Sequence, residues 1–182
     1  MKHLYFARHG QTVLNVEEKF AGQIETPLTE TGRKQAAAAG KSLKEQAIKI
    51  DLIVSSPLGR AHDTAKLIAE QIDYPLDSIK TNALFMERSF GILENTLGDE
   101  FYGVYSYQDM DNTPGAETFE QLYTRSIEAH EYLKTLDADT ILVVSHGAFG
   151  RAFRRSLQGE PHTAEYVNPF VRIKNAEVIK FI

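Results

Sequence analysis

An apolar run with no alternating polar residues, TILVVSH at residues 140–146, indicates the class of fold. A strand that faces water on one side alternates apolar and polar residues, whereas a strand covered on both faces is a continuous run of Val, Ile and Leu. Strands of the second kind belong to parallel sheets that carry helices on both faces. The run therefore predicts a buried central strand in an α/β protein.

The rest of the chain alternates between strand-like and helical segments, as this class requires. Strand character is found at 4–7, 51–56 and 78–85, and AEVIKFI at 176–182 alternates like an edge or hairpin strand. Helical period or composition is found at 29–48, 57–72, 117–136 and 147–159. We expect caps at Thr29, at Ser56 with Pro57 in the first turn, and at Gly159. The pattern predicts a three-layer α/β/α sandwich with a mostly parallel central sheet.

No repeat, low-complexity tract or linker divides the 182 residues, so we expect a single domain over 1–182. Residues from about 92 to 115 are rich in Gly, Asp, Tyr and Asn and look like an irregular insertion in that domain. The tyrosines of this insertion either line a pocket or pack it onto the body, and both readings stay open: Tyr102, Tyr105 and Tyr107.

Composition restricts the partners and the chemistry. The formal net charge is −5, so the chain as a whole repels nucleic acid, and no stretch approaches the length of a transmembrane span. The chain has no cysteine, which excludes disulfides, thiolate metal sites and cysteine nucleophiles and suits a reducing cytoplasm. The N-terminal apolar segment is too short for a signal peptide. We expect a cytoplasmic protein without nucleic-acid or membrane partners; whether it is a monomer or a homodimer is left open.

Two strand ends carry the same pattern of a histidine followed by glycine. Arg8-His9-Gly10 follows the first strand, and His146-Gly147 follows the apolar run. Because ligands bind at the carboxyl ends of parallel strands, we expect the two histidines to meet in one crevice. Arg60 lies in the first turn after the strand that ends at Ser56 and is expected at the same edge.

Arginines and histidines at such an edge suit a phosphoryl group. A guanidinium offers a rigid fork that matches phosphate oxygens, and helix N-termini there are expected to add free N–H groups. A neutral imidazole can attack phosphorus and form a covalent intermediate. Neither a metal nor another cofactor is required if the arginines and the second histidine neutralise the transition-state charge.

Five segments in this order resemble the motifs of the histidine phosphatase superfamily, the phosphoglycerate mutase-like proteins. RHGQTVLN resembles the opening R-H-G-[EQ]-[ST]-x-x-N, and GQIETPLTETGRKQA resembles G-x-x-D-x-P-L-T-x-x-G-x-x-Q-A with Glu25 where Asp is common. SSPLGRAHDTA, FMERSFG and VVSHGA resemble the arginine motif, the acid segment and the second histidine motif. The resemblance covers most of the chain, at 8–15, 22–36, 55–65, 85–91 and 143–148.

The resemblance implies a role for each matching residue. His9 would be phosphorylated, and Glu87 would protonate the leaving oxygen and then activate water. The phosphoryl oxygens would be held by Arg8, Arg60 and His146. Further substrate contacts are expected from Asn15, Gly10, Gly22, Gln23 and Gly147, with Gly10 and Gly147 letting backbone approach the phosphate.

Within this family the sequence favours a phosphatase acting on a small phosphorylated metabolite. Mutases of the family resemble one another in a longer insertion between the acid and the second histidine, with an adjacent arginine pair. Here only residues 88–145 separate the two, without such a pair, and Phe90 stands where mutases typically have tyrosine. A phosphoglycerate mutase and a non-catalytic phospho-ligand-binding module remain as alternatives.

The other cationic side chains are interpreted as structural or surface residues. The remaining histidines have no arginine or second histidine beside them in the predicted site: His3, His62, His130 and His162. A basic run on the last helix is read as a solvated or ion-paired face: Arg151, Arg154 and Arg155.

Overall fold

The computed structural model describes residues 1–98, 110–161 and 173–182. Its sheet has the strand order β3-β2-β4-β1-β5. All neighbours are parallel except β5, which pairs antiparallel with β1 at one edge. The apolar run forms the central strand β4, and the C-terminal strand is an edge strand, both as predicted. The strands are β1 (His3–Arg8), β2 (Leu52–Ser55), β3 (Lys80–Thr81), β4 (Thr140–Ser145) and β5 (Val178–Lys180).

Helices cover both faces of the sheet, so the α/β/α layering is confirmed. The helices are α1 (Val13–Val16), α2 (Glu30–Glu45), α3 (Gly59–Gln71), α4 (Phe119–Lys134) and α5 (Gly147–Leu157). One core joins α4 and α5 to one face of β1 and β4, and a second core joins α2 and α3 to the other face. Adjacent strand residues face opposite layers: Leu4, Phe6 and Val143 belong to the first core, and Ala7 and Val144 to the second.

Most helix boundaries follow the predicted caps, with one exception. Thr29 caps α2 by accepting a hydrogen bond from the Gly32 N–H, as expected. The cap predicted at Ser56 is wrong, since α3 begins at Gly59 and its N-cap residue, Leu58, has no side-chain hydrogen bond. The Ser56 hydroxyl is instead bonded to His146, 90 residues further along the chain. The same hydroxyl accepts from the Leu58 N–H at 3.3 Å, so it joins the turn before the helix to His146.

Other differences lie in the short segments. The strand expected at 78–85 is reduced to Lys80–Thr81, followed by a 3-10 turn at Ala83–Phe85. Helix α1 is an unpredicted single turn closed by a capping box between Thr12 and Asn15. Within the 92–115 insertion, residues 99–109, which include its three tyrosines, lie outside the described residues. Among the described residues, no helix is both long and apolar enough to cross a bilayer.

The register of the sheet brings the predicted site together. Arg8, the last residue of β1, lies opposite Ser145, the last residue of β4. Ser55, at the end of β2, lies opposite Val144. The residues that follow these three strands therefore leave the sheet at one edge.

Candidate active site

A cavity of about 380 Å³ lies at this edge, within the usual size of small-molecule sites. Seven of the ten residues expected at the site line it: Arg8, His9, Asn15, Gly22, Arg60, Glu87 and Gly147. The other three, Gly10, Gln23 and His146, are not among its described lining residues.

His9 is held by backbone on both sides. Its N–H donates to the Ser145 carbonyl at 2.9 Å, which ties it to β4. Its Nδ1 lies 2.7 Å from its neighbour's carbonyl oxygen, that of Gly10. A carbonyl can only accept, so Nδ1 carries the proton and Nε2 keeps its lone pair. Burial lowers the pKa of His9 well below its usual value, and the charges of Arg8 and Arg60 lower it further, so the ring is neutral.

His146 is fully buried, and its ring centroid lies 5.2 Å from that of His9. Its Nε2 lies 2.8 Å from the Ser56 hydroxyl oxygen, which also accepts from the Leu58 N–H at 3.3 Å. A serine hydroxyl has one donor and two acceptor positions, so it can donate to Nε2 while it accepts from Leu58. In that arrangement the imidazole proton lies on Nδ1. Nδ1 has no partner among the described residues and is free to donate to an anion. Burial, followed by Arg60 and His9, lowers the pKa of His146 well below its usual value.

Arg60 is buried, and two of its three guanidinium nitrogens donate hydrogen bonds to described residues. Its Nη2 donates to the Gly22 carbonyl at 2.6 Å and its Nη1 to the Ile24 carbonyl at 2.9 Å. Its Nε has no partner among the described residues. Buried polar atoms are nearly always hydrogen-bonded, so this N–H and Nδ1 of His146 indicate a ligand-binding site. Arg8 reaches the cavity with its Nη1 bound to the Ile173 carbonyl at 2.9 Å.

The Glu87 carboxylate is oriented by backbone. Its Oε2 accepts from the Ala148 N–H at 3.1 Å, and its Oε1 accepts from those of Phe149 and Arg88, both at 2.9 Å. Ala148 and Phe149 lie in the first turn of α5, directly after His146. The N-terminus of this helix thus fixes the acid beside the second histidine.

The helix N-termini were expected to bind the substrate anion, and the structure shows a different use for them. The α5 terminus binds Glu87, and at α3 the Gly59 N–H donates to both Glu25 oxygens at 3.2 and 3.1 Å. The protein's own carboxylates occupy both positions. Among the described groups, side chains rather than these termini provide the donors that face the cavity.

Two asparagines join the beginning and the end of the chain. The Asn15 side-chain oxygen accepts from the Thr12 N–H at 3.1 Å and from the Asn175 amide at 3.2 Å. The same Asn175 nitrogen donates to the His9 carbonyl at 3.0 Å. Because the Asn15 oxygen is occupied, its NH₂ group is the part left for a ligand. Asn175 also lines the cavity and was not anticipated, because nothing in its local sequence marks it.

The glycine and glutamine assignments change in two places. Gly10 is not among the described lining residues: a Cβ there would collide with the Gly32 carbonyl of α2, and its N–H donates to Thr64 at 3.0 Å. The Gln23 side chain donates to the Glu87 carbonyl at 3.0 Å instead of entering the cavity. Gly147 does line the cavity, and a Cβ added to it would lie 3.5 Å from Nε of Arg8.

The remaining walls are mixed in character. Phe20 and Phe90 form an apolar wall, with ring centroids 4.9 Å apart. Of the basic run expected to form a solvated or ion-paired face, Arg151 lines the cavity and Arg155 forms an ion pair with Glu160 at 3.3 Å. Within the described ranges, no three carboxylate or imidazole groups converge as metal ligands would.

The chain matches a known protein family over nearly its whole length. The family is the histidine phosphatase superfamily (branch 1), the match spans residues 4–181, and the chain belongs to that family. The matched range includes both histidines, Arg60 and Glu87.

Its relatives include both mutases and phosphatases. The chain is 34% identical over 172 residues to the 2,3-bisphosphoglycerate-dependent phosphoglycerate mutase of Bartonella henselae, covering 86% of this chain and 81% of the mutase. It is 31% identical over 189 residues to the metal-independent phosphoserine phosphatase of Arabidopsis thaliana, covering 98% of this chain and 78% of the phosphatase. The solved structure of a mycobacterial glucosyl-3-phosphoglycerate phosphatase superimposes with a TM-score of 0.81 at 25% identity, covering 99% of this chain and 90% of that chain.

Proposed function

We propose that the protein is a phosphomonoesterase that hydrolyses a small phosphorylated metabolite through a phosphohistidine on His9. The observation that carries this proposal is the state of His9: a neutral ring in a cationic cavity, with Nδ1 tied to the Gly10 carbonyl. That arrangement leaves the Nε2 lone pair as the attacking group.

In the first step Nε2 attacks phosphorus and the bond to the ester oxygen breaks. Arg8, Arg60 and Nδ1 of His146 donate to the phosphoryl oxygens, and the Asn15 amide adds a further donor. Glu87, as the carboxylic acid, transfers its proton to the leaving alcohol.

In the second step water attacks the phosphohistidine. Glu87 takes a proton from that water, the P–N bond breaks, and phosphate leaves with His9 restored. The organic part of the substrate lies against the wall formed by Phe20 and Phe90. The cytoplasmic location and the oligomeric state stay predictions.

A phosphoglycerate mutase is the second candidate, because several of the curated relatives carry that name at 30 to 34% identity. Phosphatase activity is favoured since the chain has only two arginines between Glu87 and His146, and both have internal partners. Arg88 pairs with Asp111 at 2.6 Å and Arg125 with Glu117 at 2.6 Å.

The test is a panel of phosphomonoesters assayed for phosphate release, with a metal chelator present throughout. We expect turnover of at least one ester and a loss of about 1000-fold or more in His9→Ala, as for removal of a nucleophile. His3→Ala, which removes an exposed imidazole from β1, is the matched control.

Four results would contradict the proposal. Activity abolished by chelator, or retained by His9→Ala, excludes the mechanism. Interconversion of 2- and 3-phosphoglycerate faster than phosphate release identifies a mutase. Tight phosphate-ester binding without acid-labile phosphoprotein identifies a binding module.

A further inference from the structure

Arg125 of α4 is the residue whose contacts the proposed chemistry leaves unexplained. It lies outside the set of described residues that line the cavity, and its side chain is only 17% exposed. Sequence reasoning missed it, although a signal was present. It follows Leu122 by three positions and precedes Ala129 by four, which places a charge on the core-facing stripe of the helix.

All five N–H donors of this guanidinium are used. Nη1 donates to the carbonyls of Leu84 and Met86, both at 2.8 Å, and Nη2 to that of Glu87 at 3.4 Å. Nε and Nη2 form a two-point ion pair with the Glu117 carboxylate at 2.7 and 2.6 Å. The three carbonyls belong to the non-strand segment that carries the acid, so one planar group determines its path.

The same segment is held at its other end through Glu117. The Glu117 carbonyl accepts from Nε of Arg88 at 2.7 Å, and its N–H donates to the Ser89 carbonyl at 3.0 Å. Glu117 thus contacts the chain on the far side of Glu87, while Arg125 contacts the near side. The acid lies between these two attachments.

Arg125 also contacts the group that orients the carboxylate. Its guanidinium carbon lies 5.4 Å from the ring centroid of Phe149, whose N–H donates to Glu87 Oε1. One cation outside the described cavity lining therefore contacts both the backbone of Glu87 and the residue whose N–H binds its carboxylate.

We propose that Arg125, with Glu117, is a positioning residue that holds Glu87 where it can protonate the leaving oxygen. The inference rests on the proposed function, in which Glu87 is the general acid. Lysine cannot replace this residue, because a point charge with three donors cannot span three carbonyls and a carboxylate.

The experiment compares two esters of similar size. 4-Nitrophenyl phosphate releases a weakly basic phenolate that needs little protonation, whereas benzyl phosphate releases a strongly basic alkoxide that needs an acid. The losses are measured as kcat/KM, which reports phosphoryl transfer to His9 and not the later hydrolysis that both esters share. We expect Glu87→Gln to lose about 100-fold or more on benzyl phosphate and less than about tenfold on 4-nitrophenyl phosphate. We expect Arg125→Lys to lose about 10- to 100-fold on benzyl phosphate and at most about threefold on 4-nitrophenyl phosphate.

Two further readouts separate positioning from general structural damage. The double variant Glu87→Gln with Arg125→Lys is expected to be no slower on benzyl phosphate than Glu87→Gln alone, since the arginine acts through the acid. Inhibition by inorganic phosphate is expected to stay within about twofold of wild type, because Arg125 touches no phosphate-binding group. Arg33→Lys, an exposed change on α2, is the matched control.

The outcomes are distinct. Equal losses of Arg125→Lys on both esters, or additive losses in the double variant, overturn the positioning role. If Glu87→Gln itself fails to discriminate between the esters, the acid assignment of the proposed function is wrong, and this inference fails with it. Should Arg125→Lys not fold, Glu117→Gln removes the ion pair while keeping the side chain's shape, and the same leaving-group selectivity decides.

Discussion

The two buried imidazoles predict a specific loss of stability in acid. Burial and the nearby arginines lower the pKa of both His9 and His146 in the folded protein, whereas a histidine in the unfolded chain titrates near pH ~6.5. Below about pH 6.5 the unfolded chain binds protons that the folded protein does not. The contribution of these two histidines to the free energy of unfolding is therefore fully present above that pH. It is lost as the pH drops toward their pKa values in the folded protein.

The size of the effect follows from proton linkage. Each proton bound only by the unfolded chain lowers the free energy of unfolding by about 1.4 kcal/mol per pH unit. One pH unit below the unfolded pKa, the loss is between about 1 and 2 kcal/mol for each histidine and about 3 kcal/mol for both.

The assay is urea unfolding followed by circular dichroism in phosphate-free buffer. The pH values are about 7.5, 6.5 and 5.5, that is, the pKa of histidine in the unfolded chain and about one pH unit on each side of it. In the double variant His9→Gln with His146→Gln, the loss between the highest and lowest pH is expected to be about 3 kcal/mol smaller than in wild type. His3→Gln controls for removal of an imidazole. Parallel losses in wild type and the double variant would show that the folded imidazoles take up protons, and the neutral nucleophile would be refuted.

Two further changes test the packing around the site. Ser56→Ala leaves Nε2 of His146 without its 2.8 Å partner, so we expect kcat/KM to fall about tenfold, with weaker inhibition by vanadate. Unchanged kinetics would show that Ser56 does not determine which nitrogen of His146 carries the proton. Gly150→Ala places a Cβ 2.5 Å from the Phe6 ring and 2.9 Å from Ile173, so we expect unfolding to require about 1 to 3 kcal/mol less. A midpoint of urea unfolding equal to wild type would show that α5 moves away from β1 without loss of stability, and would contradict the packing argument.

Some of the fold could be read from local patterns. The apolar run of β4, the helical spacing of α3 and α4, and the cap at Thr29 each depend on neighbours within a few residues. Local preference failed where a side chain also has a partner far away in the sequence. Ser56 is the clearest case, because its hydroxyl binds His146 and the helix begins three residues later.

The site shows the same division. The sequence by itself determined which residue types follow the strands, namely His9, Arg60 and His146. It also predicted that they meet, because the carboxyl ends of parallel strands share an edge of the sheet. Only the tertiary structure decided their states. Which imidazole nitrogen carries the proton, which helix terminus binds Glu87, and which arginine fixes its backbone depend on contacts between segments far apart in the chain. Hydrogen bonds and desolvation act over a few ångströms of space, not of sequence, so these properties exist only once the chain has folded.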